Sequence, residues 1–133
     1  MVVVGVVLAG GCKNDSPVVS AAPRVVTLAS IQGSTASGAA TILDDAGPSS
    51  TVQIDLTGMQ PNTSHVGHVH KGSCAAQGAI YHGLAVVNAD AGGNGTVSTA
   101  QVPDSLLIGG YYIQYHTAVS PPGTPIACGD LPQ

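Results

Sequence analysis

Thr51-Val52-Gln53-Ile54-Asp55-Leu56-Thr57 alternates apolar and polar side chains without a break. Successive side chains on a strand point to opposite faces, so this period of two marks a strand with one buried and one wet face. Val52, Ile54 and Leu56 form the buried row, and Gln53 and Asp55 the wet one. Similar runs occur at residues 25–29, 39–44, 66–70, 84–88, 96–102, 111–116 and 125–128. Turn-forming clusters punctuate them, among them Asp45-Ala46-Gly47-Pro48, Ala91-Gly92-Gly93-Asn94-Gly95 and Pro121-Pro122-Gly123. No stretch carries the periodicity of an amphipathic helix. About eight short strands predict an all-β, single-domain antiparallel barrel or sandwich with Greek-key connections over residues 24–133.

Composition agrees with that reading and removes several functions. The 133 residues suffice for one modest core. With no Phe, no Trp and four Tyr, that core must be built from Val, Ile, Leu and Ala, and β-branched side chains suit a pleated surface. The 18 Gly and 9 Pro match a chain of many turns. Only Lys13, Arg24 and Lys71 are basic, against seven Asp, for a net charge of −4. Such a chain cannot neutralise a row of phosphates, which excludes nucleic-acid binding. Catalysis by an activated serine is excluded by the lack of a Gly-x-Ser-x-Gly elbow.

Residues 2–11 form an apolar run too short to span a bilayer but of the right size for a signal-peptide core. The run ends in Leu8-Ala9-Gly10-Gly11-Cys12, which resembles a bacterial lipobox, with Leu8 one place early and no basic residue before the run. Residues 1–11 are therefore expected to be a lipoprotein-type leader, Cys12 the lipidated residue, and residues 12–23 a polar tether. The chain is expected to be exported, as a cell-envelope lipoprotein at the periplasm or cell surface, or secreted. Any membrane contact would run through the lipid anchor alone. In an oxidising compartment the remaining pair, Cys74 and Cys128, is most simply a disulfide.

The chemistry is concentrated in His65-Val66-Gly67-His68-Val69-His70. On a strand, His68 and His70 project to one face about 7 Å apart, within reach of a common ion, while Val69 points into the core. His65 shares the parity of Val69, which casts it as a buried hydrogen-bonding residue. In Tyr111-Tyr112-Ile113-Gln114-Tyr115-His116, residues Tyr111, Ile113 and Tyr115 make an apolar stripe and put His116 on the opposite face. If the two strands pair, three imidazoles meet on an outer patch of the sheet. His82, in the loop-like Ile80-Tyr81-His82-Gly83, is a candidate fourth nitrogen. Imidazoles without thiolate or carboxylate suit copper or zinc, with copper favoured by affinity. The bland alternative is an exposed polar face on an edge strand.

Leu56-Thr57-Gly58-Met59-Gln60-Pro61-Asn62 followed by the His-x-x-His-x-His run resembles the copper/zinc superoxide dismutases. Asn88-Ala89-Asp90, Leu106-Leu107-Ile108-Gly109, Ile113-Gln114-Tyr115-His116 and Ile126-Ala127-Cys128-Gly129 follow in that family's order. The resemblance implies an eight-stranded Greek-key barrel, a Cys74–Cys128 disulfide, copper ligation by His68, His70 and His116, and a buried His65. The family's long zinc-binding loop is cut down to residues 71–81, with His82 the one histidine surviving beside it. One copper ion and no zinc site are therefore expected, with His82 in line for the place of the bridging histidine. Pro125 stands where the family has the arginine that guides superoxide.

Gly109-Gly110-Tyr111-Tyr112-Ile113-Gln114-Tyr115-His116-Thr117 followed by Pro121-Pro122-Gly123 also looks like the CHRD domain, a module named from chordin. That likeness implies a binding or structural role. The two resemblances give two expected functions: a copper-only superoxide dismutase acting on superoxide, or a non-catalytic module that captures copper or serves as a surface-binding unit. No residue is singled out as catalytic beyond the metal ligands. Exposed strand edges leave pairing with a second copy open, and nothing specifies it.

Overall fold

The computed structural model describes residues 21–118 and 122–133. The leader expected over residues 1–11, Cys12 and most of the tether lie outside the described residues. Eight strands are present: β1 (Arg24–Ser30), β2 (Ser37–Asp44), β3 (Ser49–Thr57), β4 (Ser64–Lys71), β5 (Ile80–Asn88), β6 (Gly95–Pro103), β7 (Tyr111–His116) and β8 (Pro125–Asp130). Each expected strand lies within one of them. The largest difference is in β5, which begins at Ile80 and so takes in His82, expected to be on a loop. One 3-10 turn, Asp104–Leu106, leads from β6 toward β7.

The strands form one antiparallel sheet in the order β5-β4-β7-β8-β1-β2-β3-β6. Its two outer strands, β5 and β6, approach each other, and the Ala85 amide donates to Thr99 Oγ1 at 2.8 Å across the gap. The sheet is thus a nearly closed barrel. Around it, β3 to β4 and β6 to β7 each pass over two intervening strands, which is the Greek-key connection the sequence predicts.

The alternation in β3 is seen directly: Ser50, Val52, Ile54 and Leu56 are buried and the residues between them are half-buried. The interior is filled by these residues together with Leu28, Ile42, Val69, Val87, Val102, Leu107, Ile113 and Tyr115. With no Phe or Trp available, Tyr115 is the largest side chain of this core. Its ring lies against Gly67 on the neighbouring strand, where even a Cβ would collide with it. The Tyr115 hydroxyl then donates to the Ala85 carbonyl on β5 at 3.0 Å. One aromatic side chain on β7 thereby crosses β4 and ties it to β5, and Gly67 is the opening that lets it through. Burial raises the Tyr115 phenol above its ordinary pKa, so it stays a neutral donor.

Cys74 and Cys128 form a disulfide. It joins the β4–β5 connection to β8, and the Cys74 amide adds a 2.7 Å bond to the Asp130 carboxylate. The connection begins at Gly72, whose φ of +114° lies in a region that L side chains rarely adopt. Backbone bonds from Lys71 N to Ala79 O and from Gly72 N to Gly110 O fold it back along the sheet.

Candidate metal centre

Strand parity and the β4–β7 register assemble the site. His68 pairs with Gln114 and His70 with Tyr112, while Val69 between them pairs with Ile113 in the core. His68, His70, Tyr112, Gln114 and His116 therefore share the outer face of the barrel. The three imidazoles form a nearly equilateral triangle, with ring centroids 5.5 Å (His68–His70), 5.4 Å (His68–His116) and 5.8 Å (His70–His116) apart. One nitrogen from each lies within 4.8 Å of the other two.

The patch is outside the barrel yet shielded from water. His68, His70 and His116 are 8, 5 and 6% exposed, and Tyr112 and Gln114 are fully buried. The cover is the disulfide-tethered β4–β5 connection on one side and the chain around Gly123 on the other. Each contributes a backbone carbonyl: Gly78 O lies 3.0 Å from His70 Nδ1, and Gly123 O lies 2.9 Å from His116 Nδ1. A carbonyl can only accept, so both Nδ1 atoms carry the proton and both Nε2 atoms keep a lone pair. Tyr112 stacks on His70 at 4.9 Å and 17°, and its hydroxyl accepts from the Gly78 amide at 3.1 Å. The His70 ring is held by its neighbour as well as by its hydrogen bond.

His68 Nδ1, His70 Nε2 and His116 Nε2 are buried and have no hydrogen-bond partner among the described residues. Burial, reinforced by the His116 and His70 imidazoles, lowers the His68 pKa to about 4. Burial also lowers the His116 pKa, against the opposing pull of its bond to Gly123 and with a further contribution from His70. At neutral pH these two groups are uncharged bases. Three convergent lone pairs, two with their tautomers set by carbonyls, fit a metal ion, because ligation requires deprotonated imidazoles oriented by the hydrogen bond at the other ring nitrogen.

His65 is buried on the opposite face, as its parity predicts. Its Nδ1 donates to the His116 carbonyl at 2.8 Å and its Nε2 lies 2.7 Å from Thr63 Oγ1. It braces the backbone of His116 and also borders a cleft of about 340 Å³ lined in part by Gln32, Met59, Thr117 and Ile126. His82 is not brought into the triangle. It sits on β5 opposite Val69, whose side chain is in the core, so the pairing assigns it the other face. Lys71 Nζ lies 4.3 Å above the Tyr111 ring, one residue beyond His70 and therefore on the other side of the strand.

Sequence reasoning missed Tyr112, Gln114 and the Gly78 and Gly123 carbonyls. The parity that placed His116 opposite Ile113 and Tyr115 also applies to Tyr112 and Gln114, so that signal was present. The carbonyls carry no side-chain signal at all.

The CHRD domain family model matches residues 19–124. No curated protein matches the chain. Among solved structures, a double mutant of a SOD-like protein from Bacillus subtilis is similar, with a TM-score of 0.61 at 18% identity, covering 82% of this chain and 97% of that one. At that identity the likeness concerns the fold.

Proposed function

The chain belongs to the CHRD domain family, and from that premise we propose that it binds one copper ion through His68 Nδ1, His70 Nε2 and His116 Nε2. The observation that carries this reading is the convergence of three buried imidazoles whose nitrogens have no hydrogen-bond partner among the described residues. An all-imidazole set favours copper over the other first-row divalent ions. The SOD-like neighbour shares this barrel fold over nearly its full length. The disulfide is consistent with an exported protein, and attachment to the membrane through a lipid on Cys12 completes the proposal.

When bound, copper supplies one-electron cycling between Cu(II) and Cu(I), the chemistry needed to convert two superoxide ions and two protons into dioxygen and hydrogen peroxide. The protein's part is to hold His68 and His116 neutral and to orient all three imidazoles. Gly78 and Gly123 keep the Nδ1 protons of His70 and His116 away from the site, Tyr112 fixes the His70 plane, and His65 steadies the backbone at His116. The covering segments limit access to small molecules.

A second reading, copper capture without turnover, is favoured by the charges around the site. Pro125 supplies no cation, Lys71 is engaged with Tyr111, and the chain carries a net charge of −4, so a small anion meets little long-range attraction. Loading the purified protein with Cu(II) tests both readings. One equivalent held with nitrogen hyperfine structure in the EPR spectrum, and lost in His68→Ala, is the expected result. Dismutase activity above that of free copper then selects the enzyme, and its absence selects capture. Failure to retain copper would overturn the site itself.

A further inference from the structure

Four buried side-chain polar atoms lack a hydrogen-bond partner among the described residues: His68 Nδ1, His70 Nε2, His116 Nε2 and Gln114 Nε2. All four belong to the outer face of β4 and β7. The first three are acceptors, and a cation among them accounts for all three. The fourth is different in kind, because an amide nitrogen only donates. Gln114 is 1% exposed and is the cross-strand partner of His68, with Tyr112 and His116 two residues to either side on its own strand. None of the three imidazole nitrogens accepts from it. A buried donor without an acceptor is destabilising, and an apolar side chain of similar size would avoid that cost.

A cation leaves this donor unanswered, whereas an acceptor held beside the cation would satisfy it. Resting on the copper reading above, we propose that Gln114 is an anion-binding residue whose amide N–H donates to a small anion or oxygen ligand taken up at the three-histidine site. The chemistry of the neighbourhood narrows the ligand. Of the cations among the described residues, Lys71 lies over Tyr111 and Arg24 donates to the Leu107 carbonyl, so Gln114 offers a neutral donor in place of a charged one. The low exposure of all three histidines restricts the ligand to a few atoms. The site is thereby assigned to small inorganic anions.

Azide is a suitable probe, because its binding to a Cu(II) centre is read from a charge-transfer band and from the EPR spectrum, without any turnover. Wild type, Gln114→Leu and Gln114→Met are loaded with Cu(II) and titrated with azide. Copper uptake is expected to be equal in all three, with azide affinity about tenfold weaker in the variants, as for a lost hydrogen bond to a charged group. Unchanged azide affinity in whichever variant folds would overturn the proposal. So would loss of copper in both variants, because Gln114 would then serve the metal rather than the anion. Wild-type protein that takes up no copper would overturn the metal reading and this assignment with it. Copper uptake with unaltered azide binding removes the role of Gln114 alone.

Discussion

Strand β3 and strand β7 meet water in opposite ways. In β3 every second residue is buried and the others reach solvent, the pattern of a sheet with one wet face. In β7 every residue from Tyr112 to His116 is buried, so both faces are covered. The inner face is covered by the barrel core and the outer face by the segments carrying Gly78 and Gly123. A strand buried on both sides is ordinarily apolar throughout, yet the outer row of β7 is Tyr112, Gln114 and His116. Polar groups withdrawn from water in this way require partners. The imidazoles find one partner each in a backbone carbonyl at Nδ1 for His70 and His116, and none at the nitrogens that converge. The contrast teaches that the double-covered strand is where this barrel departs from simple packing, with buried polar atoms left without partners among the described residues on its outer face.

The contrast can be tested from its strongest consequence to its weakest. His68→Ala should abolish stoichiometric copper binding altogether while far-UV circular dichroism remains that of the wild type. A His68→Ala protein that still binds one equivalent would show that the triangle is not the site.

Acid should act on the covered face in the same direction. The folded-state pKa of His68 lies at about 4, below the ordinary value of 6.5, so the unfolded chain binds more protons between those values. The stability tied to neutral His68 is therefore intact above about pH 6.5 and is lost as pH falls toward 4. Copper should be held across that interval and released only at about pH 4 and below, where the folded-state imidazole itself takes up a proton and ceases to be a ligand. Copper lost from the folded protein between about pH 6.5 and about pH 5 in an equilibrium dialysis would contradict the assigned ligands.

Cys128→Ser should cost about 2–5 kcal/mol of stability, as for loss of a native disulfide in a small domain. It should also loosen the segment over His70, so hydrogen exchange at Gly78 is expected to rise more than exchange in β3. Equal urea midpoints with and without reductant would contradict the first expectation.

Gly67→Ala forces a Cβ into the Tyr115 ring, and overpacking of this kind costs about 1–3 kcal/mol. Gln53→Ala, on the wet face of β3, should stay within about 0.5 kcal/mol of wild type. Similar urea midpoints for these two variants would remove the distinction between the covered and the open strands.

Much of the barrel was legible because a period of two survives in any strand with one buried face. Thr51–Thr57 displays it cleanly, and each of the other seven strands was found by the same alternation and its flanking turns. The beginning of β5 was not, because Ile80-Tyr81-His82-Gly83 lacks the alternation. A register shift between Val69 and His70 in the β4–β5 ladder breaks the pattern there. His82 consequently looked available to the other histidines, and the pairing with Val69 turns it to the other side.

The sequence by itself determined which residues share a face: His68 with His70, His116 opposite Ile113 and Tyr115, His65 with the core. Side-chain direction along a strand is a local property, so no knowledge of the rest of the chain was needed. Only the tertiary structure decided that β4 lies beside β7, that segments far apart in sequence cover the outer face, and that carbonyls at Gly78 and Gly123 set the histidine tautomers. Those outcomes depend on where a closed sheet brings distant backbone together, and backbone groups are the same at every residue, so no side chain announces them.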